Sequence, residues 1–235
     1  MKNLSLISFV GIDIHTPYEN LFIGFNDPNI KCEFGVLYSE SRKNTRYPDY
    51  DFCKKYLSWG LDNNVATSLH LCGDDAINKF LNQDNKIMDL CKLAGRTQLN
   101  IKIQNFTDYN VLADTILKVG LNNELTLILQ KNATKFKFNE ILLSKLSPQA
   151  ANIHLLNDSS GGFGREISVV DKPHSDYFTG YAGGINPDNV LRIVSLIDDV
   201  NSDNYQYYID MESGVRTNNL FSIEKCQDIL GKLHD

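Results

Sequence analysis

Eight short apolar runs separated by helix-like segments are the feature that most constrains the fold of this chain. Most of the runs are apolar throughout, which is typical of parallel strands covered on both faces. Alternation of such strands with helices indicates βαβ units. In 235 residues this predicts an α/β fold, either a single (β/α)8 barrel or an open doubly wound sheet. The runs are Ser5–Ile14, Cys32–Tyr38, Ala66–Leu71, Gln98–Gln104, Leu125–Leu129, Ala151–Leu156, Tyr177–Tyr181 and Tyr205–Met211.

Helix-start patterns follow several of these runs. Thr16-Pro17-Tyr18-Glu19 predicts a threonine cap, proline at the first helical position and a glutamate that closes a capping box. Asn186-Pro187-Asp188-Asn189 repeats the pattern before apolar residues at helical spacing, and Gly73-Asp74-Asp75 is a weaker third case. No linker or low-complexity tract interrupts the series, so we predict one domain over residues 1–235. The segment Asp158–Ser175 predicts a long active-site loop or a disordered excursion.

Charge and cysteine usage exclude several classes of protein. The net charge of −6 and the lack of a basic stripe argue against a nucleic-acid or anionic-membrane partner. The five cysteines lie far apart, without a CxxC pair, which favours free thiols over a disulfide framework or a zinc site. The amino-terminal apolar stretch is too short for a signal peptide, and no run is long enough to span a membrane. We therefore expect a soluble cytoplasmic protein without a metal or cofactor; its oligomeric state is not predicted.

Two glycine-containing turns late in the chain predict a phosphate site. Gly183-Gly184 follows the seventh run and precedes the Asn186-Pro187 helix start, and Ser213-Gly214 follows the eighth run. Glycines let the backbone approach a ligand, and N–H groups at a helix start attract anions. Phosphate sites in (β/α)8 barrels lie in the loops after strands seven and eight. The expected ligand is a small phosphorylated molecule, which the family resemblance described next specifies as a sugar phosphate.

These blocks resemble the phosphoribosylanthranilate isomerase family. The segment from Gly183 to Val190 is similar to the family's Gly-Gly-Leu-Asn-Pro-Glu-Asn pattern, and Asp210 to Val215 to its Asp-x-x-Ser-Gly-Val. Leu155 to Asp158, followed by Gly161-Gly162-Phe163-Gly164-Arg165, resembles its strand-six unit, and Phe34 to Tyr38 leading to Arg46 resembles its strand-two unit. The order of the blocks spans nearly the whole chain. The resemblance implies a closed barrel and an Amadori rearrangement of a phosphoribosyl compound.

The resemblance also implies two catalytic positions, and this chain departs from the family at both. Asp13 stands where the family has a cysteine base, and a carboxylate can also serve as a base. The family's aspartic acid aligns without gaps with Asn157, which cannot donate a proton as an acid, and Asp158 follows directly. Because one step along a strand reverses the face of a side chain, Asp158 needs a turn at the strand end to reach the mouth beside Asn157. Asp13 as base with Asp158 as acid would form a pair of carboxyl groups in different protonation states.

The remaining candidate residues bind substrate or phosphate. By resemblance, Arg46 holds a carboxylate and Arg165 lies near the phosphosugar, because guanidinium groups match such anions; the alternative for each is a solvated surface charge. The substrate-binding set is Arg46, Arg165 and Asp210, and the phosphate-binding set is Gly162, Gly164, Gly183, Gly184, Ser213 and Gly214.

Other polar residues are assigned weaker roles. His15 could assist proton transfer or line a loop, His70 is better explained as a buried histidine with a hydrogen bond, and His154 as a core residue. No lysine is placed clearly at a strand end for Schiff-base chemistry.

Three functions remain open from the sequence. The first is the isomerase, the second a phosphosugar-binding barrel without catalysis, and the third a lyase or epimerase on another sugar phosphate. Fold resemblance does not decide between them.

Overall fold

The fold is a closed barrel of eight parallel strands. A computed structural model describes residues 3–21, 24–25, 27–131, 136–145, 152–158, 167 and 169–234. Each strand pairs in parallel with the next, and β1 pairs with β8 to close the barrel. The strands are β1 Leu4–Val10, β2 Lys31–Tyr38, β3 Ala66–Cys72, β4 Arg96–Asn100, β5 Leu127–Lys131, β6 Ile153–Asp158, β7 Thr179–Ala182 and β8 Tyr207–Met211. The barrel alternative of the sequence analysis is confirmed, and the open sheet is excluded.

Helices cover the outside of the barrel. They are α1 Tyr50–Asp62, α2 Asp74–Leu81, α3 Asn85–Leu93, α4 Tyr109–Asn122, α5 Phe136–Lys145, α6 Val190–Val200 and α7 Ile223–His234. Aspartates cap α1, α3 and α4, where Asp49, Asp84 and Asp108 accept hydrogen bonds from first-turn N–H groups. Such a cap satisfies an N–H that has no partner within the helix. A hairpin of β9 Arg216–Thr217 and β10 Leu220–Phe221 lies between β8 and α7.

Alternate strand residues face two different cores. Outward-facing apolar side chains pack with the helices in the main core; Phe9 and Phe34, for example, have ring centroids 5.8 Å apart. A separate, smaller cluster inside the barrel contains Leu6, Ile128, Leu156, Ala182 and Tyr208. Residues two positions along a strand from these face the same interior. This register decides which polar side chains lie inside the barrel.

The eight predicted strands are all present, with errors at their ends. The prediction Gln98–Gln104 begins two residues late and ends four residues late, because residues 103–105 form a 3-10 helix. The prediction Ser5–Ile14 ends four residues late, because β1 stops before Gly11, whose φ of +114° breaks the extended backbone.

The three helix-start predictions had different outcomes. The capping box at Thr16 is wrong: a three-residue 3-10 helix follows Pro17, and the Thr16 hydroxyl donates to Asp13 instead. The Asn186 pattern forms a turn in which Asn186 Oδ1 accepts from the N–H of Asp188, and α6 begins only at Val190. A helix does form at the Gly73-Asp74-Asp75 pattern, where α2 begins at Asp74.

The cysteines and helices bear on two further expectations. All five cysteines are buried free thiols, and burial raises the pKa of Cys72, for example, to about 11. Among the described residues, no helix is both long and apolar enough to cross a membrane.

Candidate functional site

The two glycine-containing turns touch each other at the carboxyl end of the barrel. A Cβ atom added to Gly214 would lie 1.8 Å from the carbonyl oxygen of Ile185, so the turn after β8 packs directly on the turn after β7. Gly183 and Gly184 have φ values of 136° and 59°, which favour glycine. The convergence of these turns, on which the predicted phosphate site depends, is therefore present.

The turn after β7 is held in shape by side chains. The carbonyl oxygen of Gly184 accepts hydrogen bonds from the amides of Asn186 and Asn189, each at 3.0 Å. Gly184 and Gly214 are half-buried and Ser213 is exposed, so solvent reaches the place where the turns meet. Among the described residues, the N–H of Gly184 donates to no other group. A fixed, accessible turn with a free N–H group is the arrangement that an anion site needs.

Three of the predicted site residues are not among those that the structure describes. Gly162, Gly164 and Arg165 lie outside the described residues, as does most of the predicted loop from Asp158 to Ser175. Their roles stay predictions.

The register of β6 separates Asn157 from Asp158. Leu156 belongs to the cluster inside the barrel, and Asp158, two residues later, lies on the same face. Asp158 is buried, and the Gln130 amide donates to its Oδ2 at 2.5 Å. Asn157 lies on the opposite face and bonds the side chain of Tyr181 in the outer core. Asp158 therefore reaches the interior without the turn that the sequence analysis invoked.

Asp210 is a buried carboxyl group with one unpaired oxygen. It lies two residues after Tyr208, on the interior face of β8, and is 6% exposed. Among the described residues, its Oδ1 atom has no hydrogen-bond partner. Burial raises the pKa of Asp210 to about 7, while the charge of Arg96 opposes that rise. A group with such a pKa can give or take a proton at neutral pH.

Asp158 and Asp210 face each other across the small side chain of Ala182. Ala182 pairs with Asp158 on one side and with Asp210 on the other. Two strand spacings put the Cα atoms of the two aspartates roughly 10 Å apart. Both carboxyl groups thus face the barrel interior at its carboxyl end, on the two strands that flank the strand leading into the Gly183 turn.

A charged pair lies deeper in the barrel. Arg96 donates from Nε and Nη2 to the two carboxylate oxygens of Glu33, each at 2.7 Å. The guanidinium lies 4.3 Å from the ring centroid of Tyr208, and its Nη1 is 3.2 Å from Nδ1 of His154. Burial by itself raises the pKa of Glu33, but Arg96 more than offsets this and leaves that pKa below its ordinary value. Glu33 is therefore a carboxylate inside the barrel.

The histidines occupy the places expected from the sequence. His70 is buried with Nε2 3.4 Å from the Ser68 hydroxyl, and burial lowers its pKa to about 4. Burial and the charge of Arg96 likewise lower the pKa of His154 to about 4. His15 is exposed, and its backbone N–H donates to Asp13. Within the described part of the chain, no group of three or more His, Cys, Asp or Glu residues could hold a metal ion.

Asp13 lies at the mouth, but its carboxylate already accepts hydrogen bonds from four groups of the protein. Its Oδ1 accepts from the N–H of His15 at 3.0 Å and from the Thr16 hydroxyl at 3.2 Å. Its Oδ2 accepts from the N–H of Phe221 at 2.9 Å and from Nη2 of Arg216 at 3.3 Å. Four donors and complete burial are typical of a carboxylate that ties loops together. Its role as a base stays a prediction.

The predicted anion-binding arginine reaches the mouth as well. Nε of Arg46 lies 2.5 Å from Oε1 of Glu212, directly before the Ser213-Gly214 turn. The Arg46 side chain is 45% exposed. Arg46 is thus a half-exposed cation at the rim of the barrel. The carboxylate of a bound ligand could reach it in addition to that of Glu212.

Two lysines occur in the barrel strands, at the ends of β2 and β5. Lys131 is the last residue of β5, and Leu127 and Leu129 on the same face point to the outer core. Its ammonium pairs with Asp171 at 3.6 Å. Lys31 begins β2, at the amino end of the barrel. Neither is placed as a Schiff-base nucleophile in the barrel interior.

Several polar side chains inside the barrel were not predicted from the sequence. Glu33, Arg96, Gln98 and Gln130 face the interior, and Gln98 leaves its Oε1 atom without a partner among the described residues. Each lies two residues from another interior-facing residue of its own strand, at the two-residue period of a strand. That alternation was the pattern that could have identified them.

Comparison with known proteins shows the fold. No protein-family model and no curated protein sequence matches the chain. Solved structures similar to it include a phospho-2-dehydro-3-deoxyheptonate aldolase (DAHP synthase) from Thermotoga maritima, with a TM-score of 0.58 and 12% identity over 99% of this chain and 68% of that one. A truncated form of the synthase from the same organism has a TM-score of 0.56 and 10% identity over 99% of this chain and 86% of that chain.

A third similar structure is the N-terminal domain of a putative aldolase from Bacteroides vulgatus. Its TM-score is 0.53, with 15% identity over 98% of this chain and 80% of that one. At these identities the similarity establishes the barrel fold alone.

Proposed function

We propose that the chain is an enzyme that binds a small phosphorylated sugar in the barrel mouth and transfers protons through Asp210 and Asp158. The observation that carries this proposal is Asp210, a buried carboxyl group with a pKa raised to about 7 and an oxygen that no described residue satisfies. Perturbed carboxyl groups at the carboxyl ends of barrel strands are typical of acid–base sites.

The phosphate is proposed to bind where the two turns meet. Gly184 and Gly214 let the backbone approach a ligand, and Ser213 offers an exposed hydroxyl. The chain carries a net charge of −6, so anion binding depends on local donors. Arg46, which pairs with Glu212 directly before the Ser213-Gly214 turn, supplies a side-chain cation at this rim.

The finer proposal is an Amadori rearrangement of a phosphoribosyl amine such as phosphoribosylanthranilate. Asp210 gives its proton to the ring oxygen, the ring C–O bond breaks, and the nitrogen lone pair forms an iminium. Asp158 then takes the proton from the adjacent carbon, and the electron pair of that C–H bond neutralises the iminium. We assign the base to Asp158 rather than to Asp13, because four protein donors already occupy the Asp13 carboxylate. The acid, which the sequence predicted at Asp158, is assigned to Asp210 instead.

A second candidate is a lyase that acts on another sugar phosphate. The similar barrels include proteins described as aldolases. The position of Lys131 disfavours the Schiff-base form of that reaction, but the same two carboxyl groups could serve an acid–base form.

The test is turnover of phosphoribosylanthranilate by the purified chain. We expect Asp210→Asn to lower kcat about 10²- to 10⁴-fold while a reduced analogue of the product still binds. Asp89→Asn is the matched control, because that carboxylate is exposed on α3 and pairs with Lys54 outside the barrel. Binding without turnover would favour a phosphosugar-binding protein. No binding of the analogue, together with binding of other sugar phosphates, would favour the lyase.

A second pair of variants tests the phosphate turn by itself. Ser213→Ala removes a hydroxyl at the turn, and Ser202→Ala removes one in the loop before β8, at the other end of the barrel. We expect the first variant alone to weaken binding of ribose 5-phosphate, measured by calorimetry. Equal affinities in both variants would count against this position for the phosphate.

A further inference from the structure

Ser8 lies between two carboxyl groups inside the barrel. On one side it pairs with Glu33 of β2, and on the other with Asp210 of β8. The side chain is completely buried. Its hydroxyl is 3.0 Å from Oε1 of Glu33, and it also contacts the Asp210 side chain. The Ser8 hydroxyl therefore contacts the carboxyl groups of both Glu33 and Asp210.

The direction of these hydrogen bonds follows from the charge of Glu33. Arg96 donates two hydrogen bonds to Glu33, which keeps that group ionised and able only to accept. Ser8 must then donate its single proton to Glu33. Its oxygen faces Asp210 as an acceptor, and only a protonated carboxyl group can donate to it.

We infer that Asp210 rests as a neutral carboxylic acid that donates to Ser8, and that Ser8, fixed by Glu33 and Arg96, is the positioning residue that holds it in this state. The use of Asp210 as a proton donor rests on the proposed function; its protonation state does not.

The number of hydrogen bonds that Ser8 makes in each state decides whether it raises or lowers the pKa of Asp210. With Asp210 protonated, Ser8 makes two bonds, one accepted from Asp210 and one donated to Glu33. With Asp210 ionised, Ser8 has one proton for two carboxylates and makes one bond. Ser8 therefore favours the protonated form by about one hydrogen bond, roughly one pKa unit. A hydroxyl that simply donated to Asp210 would have the opposite effect.

Other charged or titratable groups face Asp210 from several strands. Glu33 and Glu212 disfavour its ionised form, and Arg96 favours it. Asp158 lies across Ala182 on β6. The interior groups Tyr208, His70 and His154 carry no charge at neutral pH, since burial raises the pKa of the tyrosine and lowers those of both histidines. The charges of Glu33 and Arg96 oppose each other, and burial, the charge of Glu212 and Ser8 all favour the neutral form of Asp210.

The experiment is a pH titration of the Asp210 carboxyl carbon by NMR, in the full chain labelled with ¹³C-aspartate and without ligand. The Asp210→Asn variant assigns the resonance. We expect a midpoint near or above pH 7 in the wild type, and a midpoint about one unit lower in Ser8→Ala. Ser8→Thr keeps the hydroxyl and should keep the wild-type midpoint.

Two results of the titration would contradict the roles assigned to Asp210 and Ser8. A wild-type midpoint near pH 4 would show that Asp210 rests ionised, whatever the Ser8 variants do. An unchanged or raised midpoint in folded Ser8→Ala would show that Ser8 does not hold the acid form. The titration involves no substrate, so a chain that binds no sugar phosphate would overturn the proposed function and leave this result intact.

Discussion

Arg216 and Asp13 form a buried ion pair, with Nη2 3.3 Å from Oδ2, that joins the loop after β8 to the loop after β1. Arg216 also donates from Nη1 to the carbonyl oxygen of Gly11 at 2.8 Å. The pair lies where the first and last strands close the barrel. Both side chains are under 10% exposed, so neither charge is left to water. This clamp makes Asp13 a structural element whatever its chemical role.

Asp13→Asn is expected to destabilise the fold. An amide carries no charge for Arg216 and cannot accept all four hydrogen bonds, so the free energy of unfolding should fall by about 3 kcal/mol. Urea denaturation measures this change. Asp171→Asn, at an exposed carboxylate, should change it by less than about 0.5 kcal/mol. Lost turnover with unchanged stability would instead support Asp13 as the base.

Gly11→Ala should weaken the same clamp from the other side. Gly11 has a φ of +114°, and a Cβ there would lie 2.3 Å from Nη1 of Arg216. Strain and the displaced arginine together should cost about 2 kcal/mol or more of unfolding free energy. Thermal denaturation checks this against Gly231→Ala in α7, where a Cβ meets nothing within 4 Å. That control should gain up to about 1 kcal/mol.

The fold was predictable because it depends on a repeated local pattern. Eight apolar runs of strand length, several of them followed by helix-start patterns, leave few ways to bury both faces of a sheet. The ends of the runs were predicted less well, because they depend on single residues. Gly11 stops β1, and a 3-10 helix follows β4, whereas the apolar pattern continues through both places.

The site was predictable only in part. The contact between Gly214 and Ile185 follows from chain order, because strands seven and eight are neighbours in any such barrel. The inward direction of Asp158 needed the register of β6, which one residue of error reverses. The state of Asp210 depends on Ser8, Glu33 and Arg96 from three other strands, and no local pattern encodes those contacts.

Arg96→Met should destabilise the barrel interior strongly. The change leaves the Glu33 carboxylate buried without its partner, which costs about 3–5 kcal/mol. Adding Glu33→Gln removes that charge, so the double variant should be more stable than Arg96→Met alone, as measured by urea denaturation. Lys54→Met, in an exposed pair with Asp89, is the control and should change little. A double variant no more stable than the single one would contradict a cost due to the unpaired charge.

The stability of Asp210→Asn relative to the wild type should increase as the pH rises. The pKa of Asp210 is raised from 3.8 to about 7 by burial, so between these values the folded chain keeps a proton that the unfolded chain releases. Wild-type stability therefore loses up to about 1.4 kcal/mol per pH unit in this window, or about 4 kcal/mol in all. Asparagine resembles the neutral acid and does not titrate. We expect similar stabilities near pH 4 and a more stable variant at pH 8.

The difference between the two proteins isolates this one group. His70 and His154 have pKa values lowered to about 4, so they oppose the effect by making both proteins less stable as the pH falls from about 6.5. Their contribution cancels when the stability of Asp210→Asn is compared with the wild type at each pH by urea denaturation. A gap that stayed constant from pH 4 to pH 8 would mean that Asp210 titrates alike in the folded and unfolded chains, and the acid assigned to the barrel mouth would be lost.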